Sequence, residues 1–192
     1  MKAPLDFYFD FSSPFGYLAS QKIEALAARH ARKVKWRPML LGAAFKTTGA
    51  APLTQVPLKG EYSQRDFHRS ARFHGLEYRH PEPFPVPTVA ACRAFYAVED
   101  EQQAVSMAKA LFKAYFADNV NIGEPDNVLK VAASLGLAPA IGDQAVKDRT
   151  KAEVDAAIAR GVFGSPFVVV DGEPFWGLDR FPQIERWLEA PF

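Results

Sequence analysis

Leu5, Phe7, Phe9 and Phe11 alternate with Asp6, Tyr8 and Asp10, the period of two expected of a strand with one strongly apolar face. Ser13-Pro14 ends that pattern, and Phe15, Leu18, Ala19, Ile23 and Leu26 then recur at helical spacing as far as Arg29. A serine at the cap and a proline at the first helical position mark the helix start. Val34 and Trp36 alternate with Lys33, Lys35 and Arg37, so a second strand follows. Strand, helix, strand predicts a parallel pair.

Residues 42–60 are rich in Gly, Ala, Thr and Pro with weak periodicity, which predicts a long loop or a domain junction. Residues 62–75 read as a polar helix stopping at Gly75, after which Pro81, Pro83, Pro85 and Pro87 enforce an extended connector. Three or four helices come next. Their apolar positions run through Val89, Phe95 and Tyr96, then Val105 to Phe116, then Val128, Leu129 and Val131, then Val154, Ala157 and Ile158. Beyond Pro166 the character changes again: Phe167-Val168-Val169-Val170 has the composition of a buried strand, Asp171-Gly172 that of a hairpin turn, and Glu173 to Trp176 that of the returning strand. Asp179 precedes a last helix bearing Ile184, Trp187 and Leu188. The two ends can share one sheet, giving an α/β fold in which residues 1–60 and 160–192 form one domain and 61–159 a helical insertion.

With 192 residues and 48% hydrophobic content, the chain can bury one sizeable core and a smaller second one. Its 23 Lys and Arg against 22 Asp and Glu leave a formal charge of +1, which gives no reason to expect a nucleic-acid partner. The single cysteine, Cys92, can build neither an internal disulfide nor a thiolate metal cluster, in keeping with a reducing cytoplasm. No stretch reaches the ~18–20 apolar residues needed to cross a bilayer, and the start lacks a leader-like pattern. The expectation is a soluble, unprocessed cytoplasmic chain without a membrane partner.

Among candidate chemical groups, Ser13 leaves a strand and caps a helix, so it lies among unpaired backbone N–H groups where anions are favoured. Capping alone is the default account of it, and without G-x-S-x-G or a nearby base it is not a hydrolase nucleophile. Ser165-Pro166 at the mouth of an apolar strand is open to two readings, simple strand initiation or a cis peptide in a demanding turn. Asp179 reads as the N-cap of the last helix or as a carboxylate that accepts from an ammonium group. The histidines, His30, His68, His74 and His80, lack the i, i+4 pairing of a zinc site, so no metal is expected. Arg65, Arg69 and Arg72 share one helix face, by default a solvated one, and Cys92 reads as core.

Taken together, FYFDFSSPFGYLA, VFGSPFVVV and FWGLDR, with WRPMLLGAAF and Lys59-Gly60-Glu61-Tyr62, resemble the 2-hydroxychromene-2-carboxylate isomerases and the kappa-class glutathione transferases. Both belong to the DsbA-related branch of the thioredoxin superfamily, and the resemblance runs over nearly the whole chain. It implies a thioredoxin-like domain, a mixed sheet with flanking helices, carrying an inserted all-helical domain. Redox relatives hold C-x-x-C where this chain has Ser13-Pro14-Phe15-Gly16. Dithiol exchange needs two thiols, so a disulfide oxidoreductase is not expected.

The resemblance instead implies glutathione as cofactor. Ser13, next to Pro14, would donate to its sulfur and stabilise the thiolate; Pro166 would be cis, with the Ser165 backbone pairing with the cysteinyl part. Asp179 and the backbone near Leu178 would hold the γ-glutamyl ammonium, and Lys59 a carboxylate of glutathione or substrate. The partner implied is a small aromatic molecule, interconverted between 2-hydroxychromene-2-carboxylate and trans-o-hydroxybenzylidenepyruvate. A kappa-type transferase and a noncatalytic thioredoxin-like module are the alternatives, and a homodimer stands open. Family members often carry Asn after the glycine equivalent to Gly49; this chain has Ala50, which leaves the substrate open.

Overall fold

A computed structural model describes residues 2–192. Strands β1 (Leu5–Phe9) and β2 (Val34–Pro38) pair in parallel, with Leu5 opposite Val34 and Phe9 opposite Pro38. Strand β3 (Phe167–Val170) runs antiparallel to β1, and β4 (Glu173–Trp176) returns beside it through Asp171-Gly172. The order β2-β1-β3-β4 makes one mixed sheet from the two ends of the chain, the thioredoxin-like arrangement expected.

Between β1 and β2 lie α1 (Pro14–Ser20) and α2 (Ile23–Arg29) rather than one continuous helix. The break has a local cause. The Ser20 hydroxyl donates to the Tyr17 carbonyl at 2.6 Å and Lys22 N–H bonds Ala19 O, so the last turn of α1 tightens and closes on itself.

The loop expected over 42–60 is also corrected: α3 (Leu41–Thr48) occupies its first part, ending at Gly49 with φ +71°, and a short 3-10 turn spans Leu53–Gln55. Neither Leu40 nor its neighbours supply a capping side chain. The first turn is instead capped by Asp10, whose carboxylate accepts the Leu41 N–H at 2.6 Å across 31 residues of sequence. A cap that arrives from so far along the chain leaves no local signal.

Helix α4 (Lys59–Phe73) is followed by the proline segment, and then by α5 (Val89–Ala97), α6 (Glu101–Phe116), α7 (Pro125–Ser134) and α8 (Gln144–Ala159). After β4 comes a 3-10 turn, Leu178–Arg180, and then α9 (Phe181–Glu189). Asp179 is therefore not the N-cap of the last helix. It lies inside the 3-10 turn, Arg180 takes the cap position, and Pro182 in the first turn fixes the backbone where a capping side chain is absent.

The central strands β1 and β3 are covered on both faces, while the edge strand β4 is largely exposed. Phe7 and Phe9 stack at 5.1 Å, Trp36 meets both edge-on, and Phe9 packs on Phe112 of α6 at 5.3 Å. On the opposite face Tyr8, Phe167 and Val169 pack with Met39, Ala157 and Val162. Burial of this kind stabilises by roughly 1.5–3 kcal/mol per large side chain. Among the described residues no helix is long and apolar enough to cross a membrane.

The hairpin is tied to the far side of the fold by Arg32, whose buried guanidinium binds Asp171 through both oxygens at 2.7 and 2.9 Å and also the Ala3 carbonyl. The hydrogen bond from Arg32 holds the Asp171 carboxyl below its ordinary value. Asp171 stands at φ +52°, a conformation asparagine tolerates, so Asp171→Asn removes charge without backbone strain. This variant is expected to lose about 1 kcal/mol at pH 7, a modest figure because the carboxylate is half-exposed. A depressed folded-state pKa gives stability that is present above the unfolded value and lost as pH falls through the folded one. Urea midpoints of wild type and variant should therefore differ near neutrality and converge in acid.

Candidate active site

Strand β1 delivers Asp10 into the interior, where it is only 3% exposed. One carboxylate oxygen accepts the Ser12 N–H at 2.8 Å, the Ser12 hydroxyl at 2.9 Å and the Thr88 hydroxyl at 2.8 Å, while the other accepts the Leu41 N–H. Among the described residues no cation shares in this network, and burial pushes the carboxyl above its ordinary value despite the four donors. Asp10 thereby joins the entry to α1, the start of α3 and the residue before α5.

The same residue reaches the loop before β3, because its N–H donates to Ser165 Oγ at 3.0 Å. Ser13, 6% exposed, closes the clasp. Its Oγ accepts the Gly16 N–H at 3.0 Å as the cap of α1 and donates to the Ser165 carbonyl at 2.9 Å. The Ser165–Pro166 peptide is cis, which decides between the two readings of that dipeptide. A Cβ on Gly16 would lie 2.7 Å from Ser165 Oγ and 3.3 Å from Ser13 Oγ, so any side chain there displaces the Ser165 hydroxyl.

A groove of about 1070 Å³ opens beside this clasp, at the upper end of ordinary ligand clefts. Ser165, Pro166, Leu178 and Asp179 all line it. Ser13 joins it through the Ser165 carbonyl, with Pro14 buried alongside. The Asp179 side chain is 73% exposed, with Arg180 at 3.5 Å. Among the described residues, the Ser165 backbone N–H has no intramolecular partner.

Lys59 stands apart from these, exposed at the start of α4 and outside the groove wall. Arg65, Arg69 and Arg72 are exposed, and Arg69 bonds Asp66 and the Tyr62 hydroxyl, as a solvated helix face would. Ala50 is exposed beyond the end of α3. Cys92 is fully buried, with its thiol pushed well up by burial and directed at the Pro38 carbonyl.

Sequence reasoning missed several groove residues. Phe73 is 84% exposed and, with Phe15, Leu53 and Trp176, gives the groove its apolar surface. An aromatic in the last turn of a strongly polar helix was the available signal. His74, whose pKa burial and Lys22 both lower, also faces the groove, together with Arg29 and Glu185, which pair across it. Those residues carry no short-range pattern, since they converge from α2, α4 and α9.

The family model for a DSBA-like thioredoxin domain matches residues 4–189, and the chain belongs to that family. Within it, the chain is 30% identical over 203 residues to a 2-hydroxychromene-2-carboxylate isomerase of Sphingobium xenophagum, covering 98% of this chain and 99% of that protein. Glutathione S-transferase kappa 1 of Rattus norvegicus is 27% identical over 208 residues, with 96% and 92% covered. A solved 2-hydroxychromene-2-carboxylate isomerase superposes with a TM-score of 0.86 at 26% identity, over 96% of this chain and 94% of that one.

Asp10→Asn tests the clasp. An amide nitrogen must replace one of two oxygens that now face only donors, so at least one N–H or O–H meets another donor. The expected loss is about 1–3 kcal/mol by urea unfolding at pH 7, and an unchanged midpoint contradicts this reading. Because burial raises the folded-state pKa of Asp10, folding favours its neutral form: that stability is fully present below the unfolded value and is lost as pH rises through the folded one and the group ionises; the variant lacks that fall.

Proposed function

We propose that the protein is a glutathione-dependent isomerase acting on 2-hydroxychromene-2-carboxylate or a related product of aromatic-ring degradation. The observation that carries this reading is the free backbone N–H of Ser165 at the groove, one residue before a cis proline and hydrogen-bonded through its carbonyl to Ser13. The similarity to isomerases and kappa transferases over nearly the whole chain supports it.

The groove residues fit a γ-glutamyl tripeptide. Ser165 offers a donor and an acceptor to an extended cysteinyl backbone, as a strand edge does. Asp179 offers an exposed carboxylate for an ammonium group, beside the backbone of Leu178. When bound, glutathione supplies the thiol whose sulfur adds to the conjugated double bond, permits rotation about the resulting single bond and leaves unchanged. The Ser165 carbonyl has a second lone pair for a ligand N–H, and the Ser13 hydroxyl would have to turn from that carbonyl to donate to a bound thiolate. Pro14 holds that hydroxyl at the helix start. Phe15, Phe73 and Trp176 present flat apolar surface to an aromatic substrate. Lys59 lies exposed on α4 outside the groove wall, so its assignment to a ligand carboxylate requires that carboxylate to project beyond the groove; Ala50 directs the reading to a related aromatic acid as much as to the chromene acid itself.

A kappa-type transferase uses the same sulfur site, and the likeness to the rat enzyme favours keeping it as the second reading. Product analysis separates the two, since an isomerase returns free glutathione and a transferase consumes it.

Calorimetry should detect glutathione binding at millimolar concentration or below, and the absence of binding heat overturns both enzymatic readings. Ser13→Ala removes the α1 cap and its sulfur donor together. It is expected to cost about 1 kcal/mol of stability and to lower turnover at least tenfold. Unchanged turnover removes Ser13 from the reaction.

A further inference from the structure

Two hydroxyls flank Gly16, and the hydrogen bonds around them differ. Ser13 Oγ is committed in both directions, accepting from Gly16 N–H and donating to the Ser165 carbonyl. Ser165 Oγ accepts from Asp10 N–H at 3.0 Å, but its own hydrogen has no acceptor among the described residues. Ser165 is only partly buried and is one of the residues that line the groove. The hydroxyl is also held in place. The Asp10 N–H fixes it from one side, and it occupies the space a side chain at position 16 would need, since a Cβ on Gly16 would fall 2.7 Å from it.

We infer that the Ser165 side chain is a catalytic group in its own right: its hydroxyl donates to the sulfur of the thiol bound in the groove, beside Ser13. This rests on the glutathione reading above and extends it from the Ser165 backbone to its side chain. The physical argument is one of availability. A thiolate is stabilised by whichever donors can turn to it without breaking another bond. Ser13 must first surrender its bond to the Ser165 carbonyl, whereas Ser165 surrenders nothing. Gly16 is then required for chemistry as well as for packing, because its missing side chain leaves the room in which this hydroxyl sits. A hydrogen bond to a charged acceptor is among the stronger kinds, so its removal should be visible in the acidity of the bound thiol.

The test is an ultraviolet pH titration of the glutathione thiolate bound to wild type, Ser165→Ala, Ser165→Thr and Gly16→Ala, with binding followed in parallel by calorimetry and folding by circular dichroism. Ser165→Ala is expected to raise the bound thiol pKa by about one unit, a roughly tenfold fall in thiolate at neutral pH. Ser165→Thr, which keeps the hydroxyl, should restore most of the wild-type value. Gly16→Ala reaches the same group by a different route, pushing the hydroxyl aside, and should reproduce the alanine result. A wild-type titration curve in Ser165→Ala overturns this inference and leaves the glutathione reading standing. Equal shifts in the alanine and threonine variants overturn it as well, since they assign the effect to side-chain shape. Loss of glutathione binding in Ser165→Ala alone overturns it in favour of a purely anchoring role. Absence of binding to wild type overturns the glutathione reading itself.

Discussion

The hydrogen bond from the Ser13 hydroxyl to the Ser165 carbonyl joins residues 152 positions apart and ties the start of α1 to the loop that lines the groove. One end of that bond opens α1; the other lies in the loop that enters β3. Asp10 backs it from within, offering its N–H to Ser165 and its carboxylate to the starts of α3 and, through Thr88, α5. Two serines and one buried acid therefore fix the mutual position of the sheet and three helices beside the groove. Among the described residues the acid meets only neutral donors, so the arrangement is held by directed hydrogen bonds, which lose their strength with small displacements.

That economy shapes the chemistry. A redox relative would place thiols along the Ser13-to-Gly16 stretch; here a hydroxyl and an empty space stand there. The polypeptide is left with donors for sulfur and no reactive sulfur in the groove, since Cys92 is sealed beneath β2 against the Pro38 carbonyl. Chemistry of the thiolate kind then requires a thiol from outside. In the proposed reading the exposed carboxylate of Asp179 and the open backbone of Ser165 take the two ends of a short γ-glutamyl peptide segment, and Phe73 and Trp176 add aromatic surface to the same groove.

The mixed sheet was legible in the sequence because its signals are local. Period-two alternation marks β1 and β2, and Asp171-Gly172 between two short runs marks the hairpin. The four helices α5 to α8 were likewise announced by their apolar spacing. What escaped were the features created by distant partners: α3, capped by a carboxylate from β1; the break between α1 and α2, set by a serine hydroxyl turned onto its own backbone; and Asp179, displaced from a cap into a 3-10 turn. The site divides in the same way. Ser13, Ser165, Pro166 and Asp179 stand in short motifs, whereas Phe73, His74 and Arg29 become groove residues only when helices far apart in the chain converge.

The most direct test of the account is a glutathione titration followed by backbone amide resonances of the isotopically labelled protein. The account predicts the largest shifts at Gly16, Ser165 and Asp179, saturating together along one binding curve. Shifts absent throughout, or confined to residues away from the groove such as the β2 edge, would contradict it.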